Sequence, residues 1–224
     1  MTGGAVVVGS GRCGTGYVRR LLGAGGVRAG HEQVYGLPQA RNGQPPAWDR
    51  FEVDCSWLAV PFLARDRPRA VLLVRHPLAV VGSMLRLGVF GPGRDTDPYT
   101  ATYYAFRPEI AEWEKEADRA LAAWYAWNTA ALPWVWGWVR VERLDPNAAT
   151  IRGSLPYLRG LLGLPPHHRT KSVVARMRRE AQTGDLFNRK PWEGNPVTYA
   201  GWGQHPEPLA RGARKLAHMF GYWS

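Results

Sequence analysis

The stretch that most limits the fold is AVVVGSGRCGTGYVRRLL, residues 5–22. Its apolar run Ala5–Val8 predicts a buried strand, and the periodic segment 14–23 predicts the helix that follows. Between them lies a loop, residues 9–16, with glycine at positions 9, 11, 14 and 16. A turn of this kind presents backbone N–H groups at a helix N-terminus, where phosphate and sulfate groups bind. The segment therefore predicts an α/β fold with an anion site, and we call residues 9–16 the glycine loop.

The remaining chain continues the alternation of strands and helices. The predicted strands lie at 5–8, 27–30, 50–56, 70–75 and 138–141. The predicted helices lie at 14–23, 57–65, 77–88, 109–132, 154–162, 172–180 and 209–220. This order predicts an α/β fold with a mostly parallel sheet flanked by helices, in one domain spanning 1–224. Two segments, 91–108 and 181–208, are predicted to be loops that cover the site or contact a substrate.

Composition restricts the class of protein and its partners. The chain has 224 residues, of which 45% are hydrophobic, enough for a substantial core. Lys and Arg number 29 against 18 Asp and Glu, and the net charge of +11 favours an anionic ligand. Two cysteines do not make a disulfide framework, which predicts a reducing, cytoplasmic setting. We expect no membrane span and no signal peptide, and nothing in the sequence indicates the oligomeric state.

Several classes of anion-binding protein can contain such a loop. Gly9, Gly11 and Gly14 match the dinucleotide fingerprint G-x-G-x-x-G, and Glu32 lies near the distance expected for a ribose ligand. A dinucleotide-binding oxidoreductase therefore stays an alternative, as does a non-catalytic protein that binds an anion or nucleic acid. The Walker A loop is disfavoured, because Thr15 stands where that motif has its lysine.

A third class fits two separate segments. The sequence GSGRCGTGY, residues 9–17, resembles the 5′-phosphosulfate loop of sulfotransferases that use 3′-phosphoadenosine 5′-phosphosulfate (PAPS). That loop has a basic residue, a small residue and then Gly-Thr. The second family motif is Arg-x-Pro with a later Ser, which RHPLAVVGS supplies at residues 75–83. The segments 30–32, 54–57, 139–144 and 215–223 also resemble bacterial members of this family.

The resemblance implies a P-loop NTPase-like sulfotransferase fold and a metal-free transfer. The enzyme would move a sulfuryl group from PAPS to a hydroxyl or amine of a small molecule, glycan or lipid, leaving 3′-phosphoadenosine 5′-phosphate (PAP). No nucleic-acid partner is expected, and the acceptor is unidentified. The donor-binding residues that it implies are Gly11, Arg12, Cys13, Gly14, Thr15, Gly16, Tyr17, Arg75 and Ser83.

Catalytic roles follow from the same resemblance. Arg12 occupies a position where the family usually has lysine, and it would stabilise charge on the leaving oxygen. Glu32 is the first candidate for the base that takes the acceptor proton, and His31 is the second. Asp54 is a third candidate, with capping of the helix near residue 57 as its structural alternative.

Other side chains have two interpretations each. Tyr103 and Tyr104 are candidate acceptor contacts that could instead pack in the core. Cys13 is either a small filler of the loop or a thiol with a lowered pKa. His167 and His168 are adjacent but lack an obvious third ligand, so no metal site is expected.

Overall fold

A five-stranded parallel sheet organises the molecule. The computed structural model describes residues 4–166, 170–183 and 199–222. The strands are β1 Ala5–Val8, β2 Ala29–Gly30, β3 Val53–Cys55, β4 Arg69–Val74 and β5 Val135–Arg140. Their order is β2-β3-β1-β4-β5, and every neighbouring pair is parallel. The predicted α/β class and single domain are confirmed.

Helices cover both faces of this sheet. In the described residues they are α1 Thr15–Ala24, α2 Leu37–Asn42, α3 Leu63–Asp66, α4 Pro77–Arg86, α5 Pro98–Phe106, α6 Glu116–Ala131, α7 Ile151–Leu161, α8 Thr170–Thr183 and α9 Glu207–Met219. None of them is both long and apolar enough to cross a membrane.

Side chains of β1 alternate between two hydrophobic cores. Val6 and Val8 pack in the core that contains Trp124 and Trp127 of α6. Val7 packs in the other core, with residues of α1, α7 and α8. All four β1 residues are buried, as expected for a parallel strand covered on both faces.

Some boundaries differ from those expected. Strand β5 begins at Val135 rather than 138, because Gly137 interrupts the apolar run without ending the strand. The predicted helix 109–132 is a 3₁₀ turn, Pro108–Glu112, followed by α6. Helix α2 was not anticipated.

Both predicted loops contain regular structure. The interpretation of 91–108 as a continuous loop was wrong, because it contains α5, which starts at Pro98 and is capped by Asp97. The 181–208 segment contains the end of α8, a 3₁₀ turn at Tyr199–Gln204 and the start of α9. Its residues 184–198 lie outside the described part of the chain, as do His167 and His168.

Asp54 anchors the segment that follows β2. It is fully buried in β3, and its carboxylate accepts three backbone hydrogen bonds. The donors are the N–H groups of Gln33 at 3.2 Å, Val34 at 3.2 Å and Tyr35 at 2.9 Å. Ser56, not Asp54, caps the turn at Trp57, since its hydroxyl accepts from the Leu58 N–H at 3.1 Å. Asp54 thus holds the chain in place just after His31 and Glu32, and capping by Asp54 is ruled out.

Replacing Asp54 with asparagine should destabilise the fold. The new amide would turn an N–H group toward backbone N–H donors, leaving buried donors without an acceptor. We expect Asp54→Asn to lower the free energy of unfolding by about 1–3 kcal/mol in urea titrations.

Glu52→Gln is the matched control, because Glu52 is partly exposed and pairs with Arg28 at the surface. That change should cost less than about 1 kcal/mol. Equal losses in the two variants would contradict the anchoring role of Asp54.

Candidate active site

The glycine loop joins the end of β1 to the start of α1. At Gly9 the backbone comes so close to the Leu73 carbonyl of β4 and to the Cys13 sulfur that a Cβ would overlap both. Gly14 has a φ of 103°, and Arg12 has a φ of 69°, a left-handed value that is uncommon outside glycine. The first N–H groups of α1 have no partner within the helix. The loop therefore has the backbone geometry of an anion site.

The end of β4 contacts this loop directly. Arg75 follows β4 and donates from its guanidinium to the Arg12 carbonyl oxygen at 3.1 Å. The Arg12 side chain donates to the Ser83 hydroxyl on α4 at 3.2 Å. The Trp124 indole donates to the Arg75 carbonyl at 3.1 Å and fixes that backbone from the core. Two motifs about 60 residues apart in the chain are thus joined by hydrogen bonds.

A cavity of about 1120 Å³ opens at this place. Every donor-binding residue expected from the sequence lines it, together with His31, Glu32 and Tyr103. Asp54 and Tyr104 do not line it. The charged side chains in the lining are Arg12, Arg19, Arg20, Arg75, Arg86 and Arg94 against Glu32, Asp97 and Asp145. The excess of arginine makes the cavity suitable for an anion.

Of these arginines, Arg75 is buried and Arg12 is partly buried. Arg75 is 8% exposed, and burial lowers the pKa of both Arg75 and Arg12. A guanidinium group nevertheless stays charged in proteins. The nearby Glu142 carboxylate partly raises the pKa of Arg75 again. That carboxylate accepts hydrogen bonds from the His76 N–H at 3.0 Å and from the Tyr222 hydroxyl at 2.8 Å. The site therefore presents positive charge in a region of reduced solvent screening.

The candidate bases lie beside the glycine loop. The Thr15 hydroxyl is 3.2 Å from His31 Nε2, and that nitrogen is 3.8 Å from Glu32 Oε1. The Tyr99 hydroxyl donates to Glu32 Oε2 at 3.4 Å. Burial raises the pKa of Glu32 above its ordinary value and lowers that of His31, which Arg19 and Arg12 lower further. Burial thus makes Glu32 a weaker acid and favours the uncharged form of the His31 imidazole beside it.

The two candidate tyrosines have different surroundings. The Tyr103 hydroxyl accepts a hydrogen bond from the Gly11 N–H at 3.0 Å, and its ring stacks on Trp57 at 4.5 Å. Tyr104 does not line the cavity, and its hydroxyl lies 3.3 Å from Asp95 and 3.4 Å from Arg119. The structure thus leaves Tyr104 without a contact to the cavity and makes Tyr103 a neighbour of the glycine loop.

Several lining residues were not identified from the sequence as parts of the site. They include Arg19, Arg20, Phe51, Trp57, Arg86, Arg94 and Asp97. Arg86 could have been found, because it lies one helical turn after Ser83 on α4. The resemblance of residues 54–57 did not give Trp57 a role, since its place at the cavity depends on the pairing of β3 with β1.

The part of the chain that the structure describes contains no set of side chains that could bind a metal ion. Within those residues no three His, Cys, Asp or Glu side chains are grouped as a metal ion would require. The cavity's chemistry is built from guanidinium, hydroxyl, carboxylate and backbone N–H groups.

Comparison with solved structures shows a similar fold, whereas comparison by sequence finds no relative. No protein-family model matches the chain, and no curated protein matches it in sequence. The chain is similar to a solved structure described as a sulfotransferase domain from the curacin biosynthetic pathway. The TM-score is 0.57 at 15% sequence identity, over 100% of this chain and 99% of that chain. At this identity the likeness shows the fold alone, which this chain shares with that domain.

Both described cysteines should be unreactive in the folded protein. Cys13 is 1% exposed, and burial raises the pKa of its thiol to about 12. Burial also raises the pKa of Cys55, which is fully buried. These values argue against a Cys13 nucleophile, because the thiolate is the reactive form.

We expect iodoacetamide at pH 8 to label neither thiol in the native protein and both after denaturation, as counted by mass spectrometry. Rapid labelling of Cys13 in the native protein would restore the nucleophile interpretation.

Proposed function

We propose that the chain is a sulfotransferase that uses PAPS as its sulfuryl donor. The observation that carries this proposal is the contact between the two motifs, in which Arg75 binds the Arg12 carbonyl and Arg12 binds Ser83. One cavity thereby offers two anion positions, as a donor with a 5′-phosphosulfate and a separate 3′-phosphate requires. The solved structure of similar fold is itself described as a sulfotransferase domain.

Each part of the donor would meet a different group. The N–H groups of the glycine loop and the N-terminal end of the α1 dipole would hold the 5′-phosphosulfate. Arg75 would bind the 3′-phosphate through its guanidinium, with the Ser83 hydroxyl as a further donor. Arg12 lies between these groups and would stabilise the charge that builds on the bridging oxygen as the S–O bond breaks.

The acceptor would approach from the side of Glu32. Its hydroxyl oxygen forms the new bond to sulfur, and its proton passes to the Glu32 carboxylate, which the raised pKa makes a stronger base. His31 lies between Thr15 and Glu32 and would orient the carboxylate or take the role of base itself. The residues present supply binding, charge stabilisation and proton transfer.

The two alternatives explain fewer of the observations. Dinucleotide-binding folds have the strand order 3-2-1-4-5-6, in which the second strand neighbours the first. Here β1 lies between β3 and β4, and β2 is at the edge beyond β3. A protein that binds nucleic acid would present its cations on an open surface, whereas Arg12 and Arg75 lie within a cavity beside a candidate base.

The donor assignment is tested by the 3′-phosphate. Wild-type protein should bind PAP more tightly than adenosine monophosphate, because Arg75 and Ser83 contact the additional phosphate. Arg75→Ala removes a charge-assisted hydrogen bond and should weaken PAP binding by about 1.5–3 kcal/mol, or roughly 10- to 150-fold, in calorimetry.

Arg65→Ala is the control, because Arg65 pairs with Asp66 outside the cavity. It should leave PAP affinity unchanged. Equal affinity of the wild type for the two nucleotides would refute the donor assignment.

The base assignment is tested by turnover. Glu32→Gln keeps size and hydrogen bonding but removes basicity, so turnover should fall by roughly 10²- to 10⁴-fold with little change in PAP affinity. His31→Asn should be milder. Glu32 can accept a proton only when it is ionised. Wild-type turnover should therefore rise as the pH rises through the raised pKa of Glu32. This rise on the acidic side of the pH profile should be absent in Glu32→Gln.

The opposite ranking, with His31→Asn inactive and Glu32→Gln close to wild type, would assign the base to His31. Activity in both variants together with an inactive but folded Asp54→Asn would move the role to β3.

A further inference from the structure

Tyr103 has a ring held from three sides. It stacks on Trp57 with 4.5 Å between ring centroids, meets Trp127 edge-on at 4.5 Å and contacts Phe90 at 5.3 Å. The residue is 2% exposed. Packing of this kind leaves the hydroxyl one position, which is against the glycine loop.

That hydroxyl has one partner where it could have two. It accepts from the Gly11 N–H at 3.0 Å, and a Cβ at Gly11 would overlap it. Burial raises the pKa of Tyr103, so the oxygen keeps its proton at working pH. Among residues 4–166, 170–183 and 199–222 no atom accepts that proton in a hydrogen bond.

The neighbouring polar groups do not provide the acceptor. Glu32 is close enough to affect the pKa of Tyr103, yet it is not hydrogen-bonded to the hydroxyl. Arg12 is also close, but a guanidinium group has no acceptor atom. Glu32 instead accepts from Tyr99. An O–H group in the protein interior that has no acceptor is unfavourable, so native proteins rarely keep one without a reason.

The position of the hydroxyl supplies that reason. Tyr103 lines the cavity next to Gly11, at the side where the glycine loop borders the cavity. We infer that the Tyr103 hydroxyl donates a hydrogen bond to an oxygen of the anion bound in the glycine loop. This inference rests on the proposed function, in which that anion is the 5′-phosphosulfate of the donor.

The arrangement replaces one donor by another. The Gly11 N–H donates to Tyr103 and therefore cannot donate to the ligand. The Tyr103 O–H donates to the ligand in its place. Because accepting one hydrogen bond polarises a hydroxyl, its own donated bond is strengthened. Tyr103 would thus be a ligand-binding residue that the glycine-loop motif does not contain.

Tyr103→Phe tests this role, because it keeps the packed ring and removes only the hydroxyl. If the hydroxyl donates to the anion, PAP should bind roughly 10- to 100-fold more weakly to the variant. If the hydroxyl only caps the Gly11 N–H, that N–H becomes available in the variant, and PAP should bind equally well or more tightly. The two interpretations therefore predict changes of different sign.

Three ligands locate the effect. Calorimetry with PAP, adenosine monophosphate and adenosine 3′-phosphate compares nucleotides with and without a 5′-phosphate. The loss should appear for the first two and stay below about twofold for adenosine 3′-phosphate, which has no 5′-phosphate for Tyr103 to contact. A loss common to all three would indicate general damage to the cavity and overturn the inference.

Tyr104→Phe is the matched control on the same helix, because its hydroxyl contacts Asp95 and Arg119 away from the cavity. It should bind all three ligands as the wild type does. Unchanged or tighter PAP binding by Tyr103→Phe would overturn the proposed role of Tyr103 and leave the proposed function unaffected. Wild-type protein that does not distinguish PAP from adenosine monophosphate, with the Tyr103→Phe loss intact for both, would overturn the proposed donor and keep the Tyr103 contact.

Discussion

The parallel pairing of β1 with β4 is the constraint on which the site depends. Val8 pairs with Leu72, so the two strands end at the same edge of the sheet. The glycine loop leaves one strand and Arg75 leaves the other, and the bond from Arg75 to the Arg12 carbonyl joins them at 3.1 Å. Gly9 allows this approach, because any side chain there would overlap the β4 backbone. An antiparallel or shifted pairing would separate the two arginines and remove the cavity between them.

Patterns of neighbouring residues correctly predicted the strand β1 and the position of two motifs at strand ends. The apolar run Ala5–Val8 is β1 with the expected bounds, and the glycine loop and the Arg-x-Pro segment lie at strand ends as the βαβ order requires. Asp54 shows the limit of this approach. Its spacing before Trp57 is compatible with a cap, yet its burial and three backbone donors come from a segment about 20 residues away. No periodicity in the sequence reports such a contact.

The aromatic residues illustrate the same limit at the site. Tyr103 meets Gly11 across 92 positions of sequence, through a helix that had been interpreted as a loop. Trp57, which stacks on Tyr103, also partly offsets the rise that burial causes in the pKa of Glu32. One packed layer of rings thus connects the glycine loop to the candidate base. Functional groups held by such a layer keep their spacing more accurately than groups on free loops.

The arginine-rich lining of the cavity has a kinetic consequence. Six arginines and three acids line the cavity. A cleft with such an excess of one charge is expected to attract ions of the opposite charge before any contact forms. Capture of a nucleotide would then be fast in dilute buffer and slower as ionic strength rises, since the Debye length shortens from about 30 Å at 0.01 M to about 8 Å at 0.15 M. The same field attracts every phosphorylated metabolite. Selection among them is therefore made after arrival, by how long each one stays.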